Sequence, residues 1–161
     1  RLKLPGRTGV LPAFWMHPAN RNWPPEIDIV ELFQPAEIDS HQERQQLHMD
    51  VHWSESGQPN DRETHEHDPV VEDTGLDLTE SFNTFGCAWF EDRIEWYFNN
   101  NRIDSRLTPP TMLKSLTATE ARPFGLIFSN HVNRIGQADL STSWTEQLQI
   151  EWVRIWQNRT E

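Results

Sequence analysis

The chain has 161 residues, enough for one domain with a sizeable core, and a formal net charge of -11. This acidic balance argues against binding to nucleic acid or to an anionic membrane surface, because both need a basic patch. The single cysteine, Cys87, excludes an intrachain disulfide, and its apolar neighbours favour a buried, inert thiol. No apolar run is long enough to span a bilayer, and no signal peptide is visible in the printed sequence.

The excess of acidic side chains has two interpretations. With 25 acidic residues against 14 basic ones, the chain resembles halophilic proteins, whose acidic surfaces stay soluble at high salt. It is equally consistent with an acidic secreted protein from a GC-rich genome. Comparing stability in low and molar salt separates the two, because a halophilic protein should need the salt to fold.

The first predicted elements are short strands separated by turns. Residues 1–4 alternate polar and apolar side chains, and residues 10–16 form a compact apolar run. A proline-rich loop with Trp23 follows at 17–25. The chain has 8 Trp residues, more than its core needs, and a flat indole face matches the C–H face of a pyranose. We therefore expect some of the tryptophans to stack against a sugar.

The next predicted strand, Glu26–Glu31, carries three carboxylates among β-branched residues. Carboxylates are costly in a strand interior, because buried charge must be paired or neutralised. Strict alternation puts Glu26 and Asp28 on one face and turns Glu31 onto the other. A one-residue bulge near Ile29–Val30 would return Glu31 to the first face, and bulges are common beside active sites.

Three carboxylates on one face predict acid–base chemistry. They repel one another, so we expect their pKa values to split, with one group ionised and another protonated near neutral pH. Hydrolysis of a glycosidic bond with retention uses such a pair, a carboxylate nucleophile and an acid that protonates the leaving oxygen. The alternative is a solvated edge strand whose carboxylates have no function.

The rest of the chain again predicts mostly strands. Residues 34–46 predict a loop or one short helix, and residues 47–53 alternate, with His48, Asp50 and His52 on one face. The later segments predict, in order, a long polar insertion at 54–79, strands at 82–90 and 93–98, an asparagine turn at 99–101, a short helix within 108–119, and strands at 123–130 and 148–156. Without linkers or repeats, the pattern predicts one all-β domain over 1–161, a sandwich or jelly roll.

Two groups of histidines have spacings that could suit a metal. His65, His67 and Asp68 lie in the polar insertion, and His48 and His52 lie on the alternating strand. Zinc needs three or four converging ligands with a hydrogen-bonded second shell. Neither group supplies such a set by itself, so a functional metal is not expected there.

Four ordered segments resemble glycoside hydrolase family 16, the laminarinase, lichenase, agarase and carrageenase group. The most specific is 11–16 with 23–31, which contains Glu26-Ile27-Asp28-Ile29-Val30-Glu31; the others are 82–98, 123–130 and 150–157. Only the polar insertion lies outside the resemblance. The family implies a concanavalin-like β-jelly roll of two curved antiparallel sheets, whose concave face holds a polysaccharide.

The resemblance also implies roles for the carboxylates. Glu26 is the expected nucleophile, Glu31 the general acid/base, and Asp28 the group that assists between them. The bulged motif resembles the laminarinase and galactanase branches of the family. The resemblance places further substrate contacts at Trp15, Trp23, His52 and Asn130.

The implied activity is endo-acting, retaining hydrolysis of a β-linked polysaccharide outside the cell. A laminarin-type β-1,3-glucan is favoured over β-galactans such as agar or carrageenan. No cofactor is required for catalysis. Glu151 matches a residue that helps many members bind a structural calcium on the convex face, although the other calcium ligands normally come from earlier strands.

Those first family strands have no match in this sequence, so we expect a jelly roll that is incomplete at its N-terminus. Open strand edges invite pairing with another chain. A homo-oligomer, or a strand supplied by another chain, is therefore expected.

Two alternatives share the fold. One is a carbohydrate-binding or structural protein without turnover, which the missing strands favour and the intact carboxylate row disfavours. The other is a transglycosylase, which shares the covalent intermediate and differs only in its acceptor.

Overall fold

The computed structural model describes residues 1–34, 40–132 and 138–157. Its elements are, in chain order, β1 (Leu2–Lys3), β2 (Val10–Pro18), β3 (Glu26–Glu31), α1 (Ser40–Glu43), β4 (Gln46–Ser54), β5 (His65–His67), β6 (Val70–Asp73), β7 (Phe85–Trp89), β8 (Arg93–Phe98), β9 (Asn101–Leu107), α2 (Pro110–Thr117), a 3-10 turn (Thr119–Ala121), β10 (Phe124–Val132) and β11 (Gln149–Ile150). The chain is therefore mostly strand, as predicted.

The larger sheet has six antiparallel strands, with β3 and β4 in its middle. The order is β10-β2-β3-β4-β5, and β6 also pairs with β4. The predicted alternation along β4 is confirmed, because Leu47, Met49 and Val51 are buried in the core. Their neighbours His48 and His52 face the other side and are half-buried.

The smaller sheet, in the order β7-β8-β9, contains one strand that the sequence did not reveal. The predicted turn joins β8 to β9 through Asn99 (φ 47°) and Asn100 (φ 68°), a two-residue hairpin loop that needs two left-handed residues. The strand after it, Asn101–Leu107, carries mostly polar side chains. It was missed because its exposed surface gives no apolar alternation.

The core lies between the two sheets. Its fully buried members include Ile27 and Val30 from β3, and Ile94 and Trp96 from β8. Burying a side chain of this size contributes about 1.5–3 kcal/mol. One face of the larger sheet is thereby fixed as the inner face, so the residues that alternate with the core residues lie on its outer face.

The predicted polar insertion is not a free loop. Both β5 and β6 lie within it, and both pair with β4. The predicted helix is confirmed at Pro110–Thr117, where Met112 and Leu116 are buried one turn apart. Of the two alternatives for 34–46, a short helix forms at Ser40–Glu43. None of the described helices has the length and apolar character to cross a membrane.

The closing segment forms less strand than predicted. Only Gln149–Ile150 pairs, with Leu2–Lys3 of β1, and the residues after it form no described strand. Val153, Ile155 and Trp156 are 45%, 76% and 78% exposed. The sequence of the closing segment has the apolar alternation of a strand, but a strand also needs a neighbouring strand that pairs with its backbone groups. A homo-oligomer, or a strand supplied by another chain to an open edge, stays a prediction.

Candidate active site

β3 contains the predicted one-residue bulge. Asp28 lies opposite Asp50 of β4, and Glu31 lies opposite His48, so three steps along β3 match two along β4. The pairing of β3 with β2 shifts at the same place, and Ile29 has no residue opposite it there. The bulge therefore changes the parity of the strand between Asp28 and Glu31.

As a result, Glu26, Asp28 and Glu31 share the outer face of the larger sheet. Directly opposed residues of neighbouring strands point to the same side, and Glu26 is opposed by His52. Ile27 and Val30 are buried on the inner side. We call this outer surface the carboxylate face.

Trp15 of β2 is held on the carboxylate face beside Asp28, which lies opposite it. Its indole Nε1 donates a 3.0 Å hydrogen bond to the hydroxyl of Ser129 on β10. Its ring lies 5.0 Å from that of His17. Because β10 flanks β2 on the side away from β3, this hydrogen bond fixes the orientation of the indole relative to the carboxylates.

His52 is the basic group at the centre of the carboxylates. Its Nε2 lies 3.2 Å from Asp28 Oδ2, 3.6 Å from Asp50 Oδ2 and 3.7 Å from Glu26 Oε1. Its Nδ1 lies 2.9 Å from Nε2 of His65, so both ring nitrogens are engaged. One imidazole thus links three carboxylates of two neighbouring strands.

The carboxylates determine the protonation of this ring. Burial alone lowers the pKa of His52, but the hydrogen bond to Asp28 and the charges of Asp50, Asp28 and Glu26 outweigh it, and the pKa is raised. The pKa of the neighbouring His65 is lowered by burial and by the positive charge of His52 and His67. The carboxylates therefore favour the protonated form of His52, whereas the surroundings of His65 favour its neutral form.

Trp23 forms one wall of the site. Its ring lies 5.8 Å from His52 and 4.7 Å from His65. The guanidinium of Arg62 lies 5.4 Å from the centre of the Trp23 ring. The loop before β3 and the segment before β5 therefore meet at one aromatic side chain beside Glu26.

The edge strand β5 adds a second imidazole partner for Asp50. His67 lies opposite His52, and its Nδ1 lies 2.9 Å from Asp50 Oδ2. The rings of His52 and His67 are parallel within 3°, with centres 5.4 Å apart. His48, by contrast, packs edge-on against Phe33 at 4.6 Å, and burial lowers its pKa.

The core holds the bulge from below. Trp96 is fully buried, and its indole Nε1 donates a 2.9 Å hydrogen bond to the backbone carbonyl of Asp28. That carbonyl belongs to the residue at which the ladder shifts register. The position of Asp28 is therefore fixed by a core residue as well as by its strand partners.

Comparison with known proteins identifies the family. The model described as glycosyl hydrolases family 16 matches residues 1–154. The chain belongs to this family.

Relatives agree with the assignment to family 16. An endo-1,3-1,4-beta-glycanase, ExsH, of Rhizobium meliloti is 35% identical over 112 residues, which are 70% of this chain and 21% of that protein. The catalytic domain of an endo-1,3-beta-glucanase (laminarinase) from Thermotoga petrophila is 25% identical with a TM-score of 0.64, covering 92% of this chain and 57% of that one.

A family 16 enzyme of Bacteroides ovatus, in complex with a glucan product, has a TM-score of 0.64 at 22% identity, over 81% of this chain and 53% of that chain. These likenesses confirm the jelly-roll fold. The chain spans about a fifth of the length of the curated relatives it matches and rather more than half of the solved structures.

The structure brings most of the predicted site residues of this family 16 chain together. The three carboxylates, Trp15 and His52 share the carboxylate face, and Trp23 packs beside His52. Asn130 is the exception, because it lies opposite Pro12 and so shares the other face of the sheet. The prediction that Asn130 faces the carboxylates is wrong, and its neighbour Ser129 occupies that face.

Sequence reasoning missed two residues of the site. His65 and His67 were set apart as members of a solvated insertion, whereas β5 brings both against His52. Their spacing of two was the available signal, since residues i and i+2 of a strand share a face. The two histidine groups suggested by spacing do not form as such. His48 of one group packs on Phe33, and Asp68 of the other pairs with Arg106 at 3.4 Å.

Glu151, the residue that the resemblance matches to a calcium ligand, lies beside Arg1. Its Oε2 pairs with the guanidinium of Arg1 at 2.5 Å. Calcium needs six to eight oxygen ligands, and within the described ranges no group of three potential ligands includes Glu151. A calcium role for Glu151 stays a prediction.

Proposed function

We propose that the carboxylate face is the catalytic site of an endo-acting, retaining β-glucanase. A single observation carries the proposal: the bulge at Ile29 puts Glu26, Asp28 and Glu31 on one solvent-facing side, with Trp15 and His52 among them. Retaining hydrolysis needs two carboxyl groups on one surface at short range, with different protonation states. The family supports the same chemistry.

In the proposed reaction, Glu26 and Glu31 divide the two steps. A carboxylate oxygen of Glu26 attacks the anomeric carbon while Glu31 gives its proton to the leaving glycosidic oxygen, which breaks the glycosidic bond. Glu31 then takes a proton from a water molecule, whose oxygen attacks the same carbon and releases Glu26. Glu31 regains from water the proton that it gave to the leaving group, so both carboxyl groups return to their starting states over the two steps.

Asp28 and His52 assist the nucleophile in this proposal. Asp28 is only 3% exposed and lies between Glu26 and Glu31 along the strand. His52, within 3.7 Å of Glu26 and 3.2 Å of Asp28, offsets their charge and holds Asp28 in place. Fixed dipoles and charges of this kind act at the reacting centre without reorganising during the reaction.

The proposed substrate is a β-1,3-linked glucan of the laminarin type, in preference to β-galactans. The likenesses to a laminarinase and to an endo-1,3-1,4-beta-glycanase support a β-glucan. The indoles of Trp15 and Trp23 provide flat apolar surfaces on both sides of Asp28 for stacking on pyranose rings. A polymeric substrate also implies an extracellular site of action, which we propose for this chain.

Reducing-sugar release from a panel of laminarin, mixed-linkage β-glucan, agar and carrageenan tests the proposal. We expect the chain to act on the glucans and Glu26→Gln to be inactive. The matched control is Glu66→Gln, since Glu66 is an exposed glutamate of β5 on the opposite side of the sheet. Tryptophan fluorescence that reports glucan binding, without hydrolysis of any polymer, would favour the non-catalytic alternative.

A further inference from the structure

The flank of the carboxylate face carries a set of nitrogen and oxygen atoms that includes His52 but otherwise lies outside the proposed carboxylate chemistry. Asp50, His52 and His67 each offer one ligand atom, and these atoms lie within 4.8 Å of one another. The carboxylate belongs to β4, and the imidazoles come from β4 and β5. We propose that these three residues form a binding site for a divalent transition metal ion, Zn²⁺ in the first instance.

The donor set suits such an ion. Two imidazoles and one carboxylate match the ligands that zinc takes in sites with three protein ligands and an open fourth position. Imidazole also favours zinc, copper and nickel over calcium or magnesium, which prefer oxygen. The distances are short enough: Asp50 Oδ2 lies 3.6 Å from His52 Nε2 and 2.9 Å from His67 Nδ1.

A second shell is also present. Metal-bound histidines usually donate their other ring N–H to a nearby acceptor, which fixes the ring and its tautomer. Nδ1 of His52 lies 2.9 Å from Nε2 of His65, which is placed for this role. The remaining oxygen of Asp50, Oδ1, accepts a 2.8 Å hydrogen bond from the amide of Val51. Two of the three ligands, His52 and Asp50, are therefore fixed by hydrogen-bonding groups on the side away from the ion.

One adjustment is needed for the ion to bind. The rings of His52 and His67 are parallel within 3°, whereas an ion shared by both must lie in each ring plane. The His67 side chain is 51% exposed and belongs to the three-residue strand β5, so its ring can tilt. The His52 side chain is only 17% exposed and would keep its position.

An ion at this site would oppose the proposed catalysis. Nε2 of His52 would bind the metal instead of hydrogen-bonding Asp28, now 3.2 Å away. Glu26 Oε1, 3.7 Å from the same nitrogen, would be drawn toward the ion and away from the substrate. Metal binding stands on the geometry alone, whereas inhibition rests on the proposed function.

Titration of the purified, chelator-treated chain tests metal binding directly. We expect Zn²⁺ to bind with one-to-one stoichiometry by calorimetry, and Co²⁺ to give the visible absorption of a four-coordinate site. His65→Ala should weaken binding roughly 10- to 100-fold, the usual cost of a lost second-shell partner, and His67→Ala should weaken it at least as much. Circular dichroism checks that each variant folds. His67→Gln repeats the test with a larger polar side chain in place of the imidazole.

His131→Ala is the matched control, because His131 is an exposed histidine of β10 on the opposite edge of the described sheet. If His131→Ala weakens binding as much as His67→Ala, or if Zn²⁺ does not bind the wild type, the site is refuted. If Zn²⁺ binds as expected but glucan hydrolysis continues unchanged at saturation, the inhibition is refuted and the metal site stands. A chain without activity on any polymer would contradict the proposed function and leave the metal titration intact.

Discussion

The carboxylates of the two sheets are surrounded by different partners. On the smaller sheet, Glu95 Oε1 accepts from Arg93 Nε at 2.7 Å and from Arg102 at 3.2 Å, and Oε2 accepts from the hydroxyl of Tyr97 at 2.5 Å. On the carboxylate face, the imidazole of His52 lies among the carboxylates of Asp28, Asp50 and Glu26, and the imidazole of His67 pairs with Asp50.

The partners of Glu95 determine its protonation. Hydrogen bonds from Arg93 and Tyr97 lower the pKa of Glu95 to about 2, so this carboxylate is ionised and saturated. A carboxylate whose oxygens are engaged in this way is not available to take up or transfer a proton near neutral pH. The carboxylate face instead places an imidazole, His52, among its carboxylates, and an imidazole can change its charge near neutral pH whereas a guanidinium cannot. The contrast separates a structural charge cluster from the proposed catalytic one.

Removing the proposed catalytic groups should give the largest effect. Glu31→Gln should lower kcat on β-glucan about 10²- to 10⁴-fold, the usual contribution of a general acid, and Glu26→Gln should lower it at least as much. Glu95→Gln should leave kcat within a few-fold of wild type. Steady-state kinetics with correctly folded variants checks this; a Glu95 variant as inactive as the Glu26 variant would contradict the contrast.

Trp96 should affect stability more than any surface polar group. Trp96→Phe removes the buried donor to the Asp28 carbonyl, which should lower the free energy of unfolding by about 1–3 kcal/mol. The matched control is Trp53→Phe, since the Trp53 indole donates at 3.2 Å to Glu55, which is exposed. Urea unfolding of both variants measures the difference, and equal losses would argue against a special role for the Trp96 hydrogen bond.

The Glu95 cluster should reveal itself in the pH dependence of stability. Because the pKa of Glu95 falls from its ordinary 4.5 to about 2 on folding, its contribution is complete above pH 4.5 and is lost as pH falls toward 2. Glu95→Gln should therefore lower Tm by a few degrees at pH 7, and the gap should close on acidification. A gap that stays constant down to pH 2 would contradict the saturated-carboxylate account.

The wall of the site should contribute the smallest of these effects. Trp23→Ala should raise KM for glucan roughly 2- to 10-fold, since an aromatic stacking contact contributes about 0.5–1.5 kcal/mol. Trp144→Ala is the matched control: Trp144 is also half-buried and under an arginine, Arg7, but lies outside the carboxylate face. Equal changes in KM for both variants would show that Trp23 does not contact the substrate.

The local features of the site were predictable from sequence. Glu26, Asp28 and Glu31 can share one face only if the strand contains a bulge, because side chains alternate along a strand with a period of two. The bulge lies where the pattern of apolar residues predicted it. The alternation from Leu47 to Trp53 similarly placed His52 on the correct face. Both inferences used only neighbours along the chain.

The features that sequence missed depend on contacts between distant segments. β5 and β6 are short and polar, so only their pairing with β4 defines them and brings His65 and His67 to the site. Asn130 was placed by resemblance, and the pairing with β2 shows that Ser129 faces the site instead. The closing segment has the apolar pattern of a strand, but pairs only at Gln149–Ile150.

Azide rescue on an activated aryl β-glucoside tests the central claim, that Glu26 and Glu31 divide the two steps, most directly. In Glu26→Ala, azide should take the place of the nucleophile and yield the α-glycosyl azide. In Glu31→Ala, azide should intercept the intermediate on Glu26 and yield the β-glycosyl azide. Formation of the same anomer by both variants would contradict the assignment. So would the failure of azide to rescue either folded variant when the wild-type chain is active on glucan.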